Sequence, residues 1–122
     1  MRPVKRDAKS AGSPHGQAIA QLIAATDAFS VEAALELFLP KAAIDDISVG
    51  KTFKGPAGVR EYMEEYFVGY HTVTKLESLE AVSAKRAKAF VDFTGDFGHE
   101  KGLLDVATGT DGLIISIDAE LL

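Results

Sequence analysis

The order of apolar and polar residues divides this sequence into a helical first half and an alternating second half. Apolar residues recur every three or four positions over 17–27 and again over 31–39, where Ser30 can cap the helix and Pro40 ends it. A third stretch with this spacing follows Pro56. Beyond residue 71 apolar and polar residues alternate, so the pattern predicts helices first and a sheet afterwards.

Six extended segments accompany these helices. Two short ones precede the third helix and four longer ones follow it, at 42–47, 49–53, 72–82, 88–97, 102–108 and 113–121. Because short turns separate the last four segments, neighbouring strands there should be antiparallel. This arrangement predicts an α+β fold in which three N-terminal helices cover one face of a strongly curved sheet.

The last strand has one apolar face. Strict alternation places Leu113, Ile115, Ile117, Ala119 and Leu121 on that face, which we predict to face the core. The opposite face is mixed in polarity, and it could pair with a second subunit.

The composition is that of one globular domain. The chain has 122 residues, of which 47% are hydrophobic and 25% charged. We predict a single domain over 17–122 and a disordered basic tail over 1–16. The net charge is −5, and because the first nine residues carry +3, the rest of the chain carries −8. An acidic body without a basic stripe argues against nucleic acid as a partner.

Several classes of protein are excluded by what the sequence lacks. It has neither a secretory signal nor an apolar run of roughly 20 residues, so we predict a cytoplasmic protein with no membrane partner. It has no cysteine, and its three histidines lack metal-ligand spacing, so neither a metal nor another cofactor is expected. The GxGxxG, P-loop and GxSxG motifs are also absent.

Two adjacent aspartates, Asp45 and Asp46, end the apolar run of the first strand. Carboxylates are seldom placed where a strand enters a core unless something there solvates or uses them. If Ile44 faces inward, alternation makes Asp46 face inward and Asp45 outward. A carboxylate in an apolar pocket can accept a proton from a carbon beside a carbonyl group. The alternative is a strand-end acid that caps a backbone group or faces solvent.

Three further residues can donate hydrogen bonds near such a carboxylate. Tyr62 and Tyr66 lie one turn apart on the apolar stripe of the third helix, so both can face a pocket. His71, which opens the following strand, can act as an acid or a base near neutral pH. Core packing for the tyrosines and a structural role for the histidine are the competing interpretations.

Five short segments, in this order and at these separations, carry a resemblance to a known family. They are Leu37-Phe38, Ala43-Ile44-Asp45-Asp46, Gly55, Val59-Arg60-Glu61-Tyr62 and Asp111-Gly112-Leu113-Ile114. From about residue 17 onward the chain resembles the nuclear-transport-factor-2-like superfamily, specifically its SnoaL-like and ketosteroid-isomerase-like branch. The resemblance implies a cone-shaped half-barrel with a deep apolar pocket, commonly assembled as a homodimer through the sheet. Members include isomerases, cyclases, dehydratases and non-catalytic proteins, so the fold does not determine the function.

The resemblance also assigns individual positions. Asp46 aligns with the general-base aspartate of ketosteroid isomerase, which in addition uses a tyrosine and a protonated aspartate to stabilise the enolate. Here the tyrosine position falls on Leu22, which has no proton to donate, and the second acid falls near Asp105. True ketosteroid isomerase activity is therefore not expected, and an enzyme would need other donors.

Together these observations predict a site and a function. Asp46, Tyr62, Tyr66 and His71 form the predicted catalytic set, and Leu22, Phe38, Met63 and Phe67 are predicted to contact the ligand. We expect a SnoaL-like protein that binds a small hydrophobic or carbonyl-bearing molecule, with isomerase, cyclase or dehydratase chemistry in which Asp46 is the base. The alternative is a non-catalytic ligand-binding or dimerisation module of the same fold.

Overall fold

The computed structural model describes residues 14–109 and 111–122, which form three α-helices and six strands. The helices are α1 (Pro14–Asp27), α2 (Val31–Leu35) and α3 (Gly55–Met63), and α3 continues into a π-helical turn over Glu64–Val68. The strands are β1 (Phe38–Asp46), β2 (Lys51–Lys54), β3 (Val73–Ser83), β4 (Arg86–Gly95), β5 (Gly98–Thr108) and β6 (Ile114–Leu121). Residues 1–13 of the predicted tail lie outside the described residues.

Helix α1 begins at Pro14, three residues before the start that the apolar spacing predicts. Proline is compatible with the first turn of a helix, because its missing N–H group would have no intrahelical partner there. His15 is buried in this turn. Residues 14–16, which were predicted to lie in the tail, are part of this helix.

Helix α2 is shorter than predicted. Ser30 caps it as expected, since its Oγ accepts a hydrogen bond from Ala33 N at 3.2 Å. The helix ends at Leu35, and β1 already begins at Phe38, so the prediction of helix up to residue 39 was wrong. Long-range pairing overrides the local helical spacing here, because Ile114 N donates to Leu37 O at 2.8 Å and attaches the segment to β6. Pro40 lies where the β1–β6 register is irregular, a position that proline tolerates.

The six strands form one curved sheet in the order β2-β1-β6-β5-β4-β3. All neighbouring strands are antiparallel except β1 and β6, which are parallel. The helices pack on one face of this sheet, and the core lies between the two layers. The predicted α+β fold, with a mostly antiparallel curved sheet against three helices, is confirmed.

A bulge in β6 changes which residues face the core. Thr108 pairs with Ile114 and Ala107 pairs with Ser116, so Ile115 is the extra residue on its strand. Ile114 is consequently 0% exposed and Ile115 44% exposed, the reverse of the prediction from strict alternation. Beyond the bulge, Ile117 and Ala119 face the core as predicted, whereas Leu121, predicted on the same face, is 44% exposed.

Within the part of the chain that the structure describes, no helix is both long enough and apolar enough to cross a membrane.

Candidate functional site

A cavity of about 340 Å³ opens between the C-terminal end of α3 and one end of the sheet. Its wall is built from the end of β1 and the turn after it, α3 and the π-helical turn, the segment before β3, and β4, β5 and β6 with the β4–β5 turn. The lining residues are Asp46, Ser48, Val49, Tyr62, Tyr66, Phe67, Tyr70, Thr72, Phe93, Phe97, Glu100 and Leu121. Six of these side chains are aromatic and two are carboxylates, so the cavity combines an apolar wall with acidic groups.

Asp46 is held in a fixed orientation at the wall of this cavity. Its side chain is buried, as the alternation with Ile44 predicts. The hydroxyl of Tyr62 donates to Asp46 Oδ2 at 2.6 Å. Ser48 N donates to Oδ1 at 2.9 Å, and Ser48 Oγ donates to the same oxygen. Because both carboxylate oxygens accept hydrogen bonds from neutral donors, the group is oriented without a cation.

Tyr62 is the group that fixes Asp46 from the helix side. It lies on the buried stripe of α3, and its ring packs against Phe53, with the two ring centroids 4.9 Å apart. Burial, and after it the hydrogen bond to Asp46, raises the pKa of Tyr62 above the ordinary tyrosine range. The hydroxyl therefore keeps its proton at neutral pH and acts as a hydrogen-bond donor.

The π-helical turn places consecutive aromatic residues in the cavity wall. Gly69 N donates to Glu64 O at 2.8 Å, and Thr72 N donates to Phe67 O at 2.8 Å, so both bonds span five residues. Thr72 Oγ1 donates to Tyr66 O at 2.7 Å and fixes the turn to the start of β3. Tyr66 and Phe67 both line the cavity, as predicted. The backbone that carries them is a π-helical turn and not the regular helix that the spacing predicted.

Four of the predicted site residues do not line the cavity. Leu22, Phe38 and Met63 are buried in the hydrophobic core instead. His71 is exposed, and its Nδ1 lies 2.9 Å from Asp96 Oδ2. Its backbone has φ of 56°, a left-handed conformation that ends the π-helical turn. The structure thus brings Asp46, Tyr62, Tyr66 and Phe67 together and leaves the imidazole on the surface.

Asp105, the position that the resemblance assigns to the second acid of ketosteroid isomerase, lies outside the cavity lining. Asp105 points away from it and forms two hydrogen bonds with the guanidinium of Arg86, at 2.9 and 2.7 Å. These bonds hold the pKa of Asp105 below its usual range. An ionised aspartate cannot donate a hydrogen bond to an enolate, and Leu22 has no donor either.

Most residues of the cavity wall were not predicted from the sequence. The missed residues are Ser48, Val49, Tyr70, Thr72, Phe93, Phe97, Glu100 and Leu121. Two of them had a signal: Phe93 alternates with the buried Val91, and Ser48 stands at the spacing of an Asx turn after Asp46. Predicting that Glu100 lines the cavity required the correct position of the turn between β4 and β5. The strand β5 begins at Gly98 rather than at the predicted residue 102, which puts Glu100 opposite Phe93.

No protein-family model matches the sequence, and a comparison with curated proteins found no significant match. Solved structures do match. The protein RV0760c from Mycobacterium tuberculosis, solved in complex with estradiol-17β-hemisuccinate, has a TM-score of 0.78 and 18% sequence identity, with 88% of this chain and 92% of that chain covered. The Δ5-3-ketosteroid isomerase from Mycobacterium sp. has a TM-score of 0.74 and 16% identity, with the same coverage of 88% and 92%.

A third similar structure is that of an enzyme with a different kind of reaction. SalBIII, an epoxide hydrolase/cyclase-like enzyme with a role in pyran ring formation in the polyether salinomycin, has a TM-score of 0.75 and 17% identity, with 100% of this chain and 95% of that chain covered. At such low identity these likenesses establish the fold and leave the activity open. The chain therefore has the fold of these ketosteroid isomerase and cyclase-like structures, which is the cone-shaped fold that the resemblance in the sequence implied.

Proposed function

We propose that this protein binds a small, largely apolar carbonyl compound in the cavity and that Asp46 accepts a proton from the carbon beside the carbonyl group. One observation carries the proposal. A buried carboxylate lies at the wall of an aromatic cavity, and Tyr62 and Ser48 hold it in place. A carboxylate oriented in this way is suited to general-base catalysis.

The proposed step transfers one proton and forms an enolate. The C–H bond beside the carbonyl breaks and its proton forms an O–H bond on Asp46. The electron pair of the C–H bond forms the C=C bond, and the π pair of the carbonyl moves to its oxygen. Tyr62 is already bound to Asp46, so it is not the donor that stabilises this oxygen. Tyr66 and Tyr70 carry the other phenolic hydroxyl groups of the cavity wall and take that role in the proposal. Partial burial raises the pKa of Tyr66, which keeps this donor protonated.

Hydrogen exchange tests the step directly. With 4-phenylbutan-2-one in D₂O, we expect the protein to exchange the protons beside the carbonyl, followed by NMR, and Asp46→Asn to slow the exchange at least about 100-fold. Binding of the ketone, measured by thermal shift, should persist in the variant. The matched control is Asp45→Asn, which removes the exposed neighbouring carboxylate. Equal exchange rates in the two variants would contradict the catalytic proposal, and a ketone that does not bind would remove the proposed ligand class.

The second candidate is a non-catalytic ligand-binding module. The lack of hydrogen-bond donors at Leu22 and Asp105 favours it, because an enolate is poorly stabilised without them. RV0760c, which shares this fold, was solved in complex with estradiol-17β-hemisuccinate, a steroid ester. Ligand binding without exchange would support this candidate. Homodimer formation through the sheet and a cytoplasmic location stay predictions, and sedimentation equilibrium tests the first of them.

Gly102→Ala is expected to weaken binding by filling the cavity from the sheet side. A Cβ atom at Gly102 would lie 2.5 Å from Cε2 of Phe93, so the ring would have to turn toward the cavity. We expect the Kd of 4-phenylbutan-2-one to rise about ten-fold, since about 1.4 kcal/mol is a factor of ten. Thermal shift titration measures this change. Adding Phe93→Leu should restore binding, and failure of that second substitution to do so would contradict the steric explanation.

A further inference from the structure

The mouth of the cavity combines exposed aromatic rings with a carboxylate. Tyr70 and Phe97 are 43% and 42% exposed, and their rings meet edge to face with centroids 5.9 Å apart. Glu100 is exposed as well and lines the same cavity. Large aromatic side chains that are exposed at the mouth of a cavity indicate a ligand-binding site, because without a ligand they leave apolar surface in contact with water.

None of the described residues that line the cavity has a basic side chain. The two residues that flank Glu100 in β5 are basic, but both turn to the opposite side and pair with acids there. His99 Nδ1 lies 2.8 Å from Asp92 Oδ1, and Lys101 Nζ lies 2.7 Å from Glu77 Oε2. Among the residues that the structure describes, neither Asp46 nor Glu100 forms an ion pair. The negative character of the cavity is therefore not neutralised from within the described chain.

We propose that the small apolar carbonyl compound bound in this cavity also carries an ammonium group, which makes the ligand an organic cation. Aromatic faces attract ammonium groups through the ring quadrupole, and a carboxylate beside them adds a direct charge pair. The charge of −8 outside the first nine residues also raises the local concentration of cations. The ammonium group lies at the mouth, against Glu100, Tyr70 and Phe97. The apolar body packs against the rings of Phe67 and Phe93, which contact each other edge to face with centroids 6.1 Å apart. This inference rests on the proposed function, since it assumes that the cavity is the ligand site.

Three compounds that differ only in the head group test the proposal: 2-phenylethylammonium, 2-phenylethanol and 3-phenylpropanoate. We expect the cation to bind about ten times more tightly than the alcohol, and the anion to bind most weakly, in NMR titrations of the full chain at pH 7 and low salt. High salt should reduce the advantage of the cation, because the charge at the mouth is exposed to screening. An alcohol that binds as tightly as the cation would overturn this proposal and leave the proposed pocket intact. If none of the three compounds binds while 4-phenylbutan-2-one does, the cation proposal is overturned and the proposed function stands.

Substitutions then test whether the preference for the cation arises from residues at the cavity mouth. Glu100→Gln is expected to weaken binding of the cation about three-fold and to leave the alcohol unchanged. Glu80→Gln, an exposed position on β3 outside the cavity, changes the net charge equally and should have no effect. Tyr70→Leu should weaken the cation more than the alcohol. Equal losses in Glu100→Gln and Glu80→Gln would mean that only the net charge matters, and they would overturn the assignment.

Discussion

Replacing Tyr62 by phenylalanine is expected to lower the free energy of unfolding by about 2 kcal/mol, although only one oxygen atom is removed. The hydroxyl is buried and donates to Asp46 Oδ2 at 2.6 Å. Without it, a carboxylate oxygen that is withdrawn from water loses its donor, and hydrogen bonds to charged groups are the stronger ones in proteins. Urea denaturation at pH 7, with the midpoint and the slope compared between variant and wild type, measures the change.

The matched control is Tyr66→Phe, which removes a hydroxyl from the same aromatic cluster. Its ring lies 5.2 Å from that of Tyr62, but its hydroxyl is not bound to Asp46. We expect a change below about 0.5 kcal/mol, as for most substitutions away from a buried polar partner. A double-mutant cycle of Tyr62→Phe with Asp46→Asn isolates the pair itself. Additive effects in that cycle would show that the hydroxyl and the carboxylate do not stabilise each other.

The same bond predicts how stability depends on alkaline pH. The pKa of Tyr62 is raised in the folded protein, whereas an unfolded tyrosine ionises near pH 10. The contribution of Tyr62 is therefore fully present below about pH 10 and is lost as the pH rises above it. Urea denaturation of wild type between pH 8 and 11 should show a steeper loss than in Tyr62→Phe. Parallel curves for the two proteins would contradict the buried, protonated hydroxyl.

The part of the site that could be predicted comes from one continuous stretch of sequence. Asp46 and Tyr62 are sixteen residues apart, and both orientations follow from local periodicity: alternation along β1 for Asp46 and helical spacing along α3 for Tyr62. The order of helices and strands was predictable for the same reason, because each element carries its own apolar pattern. Local patterns fix which side of an element faces the core.

What could not be predicted depends on departures from regular geometry. The bulge at Ile115 places Ile114 in the core instead of on the opposite face of β6, and no residue type in β6 indicates a bulge. The left-handed backbone of His71 turns its imidazole away from the cavity, whereas Tyr66 and Phe67 line it as predicted. The bulge depends on the pairing of β6 with β5, which lies earlier in the chain. At the cavity mouth Tyr70 precedes β3, Phe97 lies in the β4–β5 turn and Glu100 lies in β5, so no single stretch of sequence brings them together.

The largest loss of stability is expected for Phe53→Ala, at about 3–5 kcal/mol. Phe53 is 2% exposed, and its ring lies beneath the site, with centroids 4.9 Å from Tyr62 and 6.2 Å from Tyr66. Helix α3 also packs very closely on this residue, since a Cβ atom at Gly58 would lie 2.7 Å from its backbone carbon. Because α3 and this residue's backbone are already in contact, they cannot move closer together to fill the space of the missing ring. A void should therefore remain below the two tyrosines. Urea denaturation measures the loss.

Phe29→Ala removes the same atoms from a side chain that is 39% exposed, and it should cost less than about 1.5 kcal/mol. The two variants therefore separate burial from residue type. Because Phe53 supports the ring of Tyr62, Phe53→Ala should also loosen the hydrogen bond that orients Asp46. We expect the folded variant to bind 4-phenylbutan-2-one more weakly and to exchange its protons more slowly than Phe29→Ala does. If Phe53→Ala loses stability but exchanges at the wild-type rate, Asp46 does not need the support of the aromatic cluster, and Ser48 alone is sufficient to orient it.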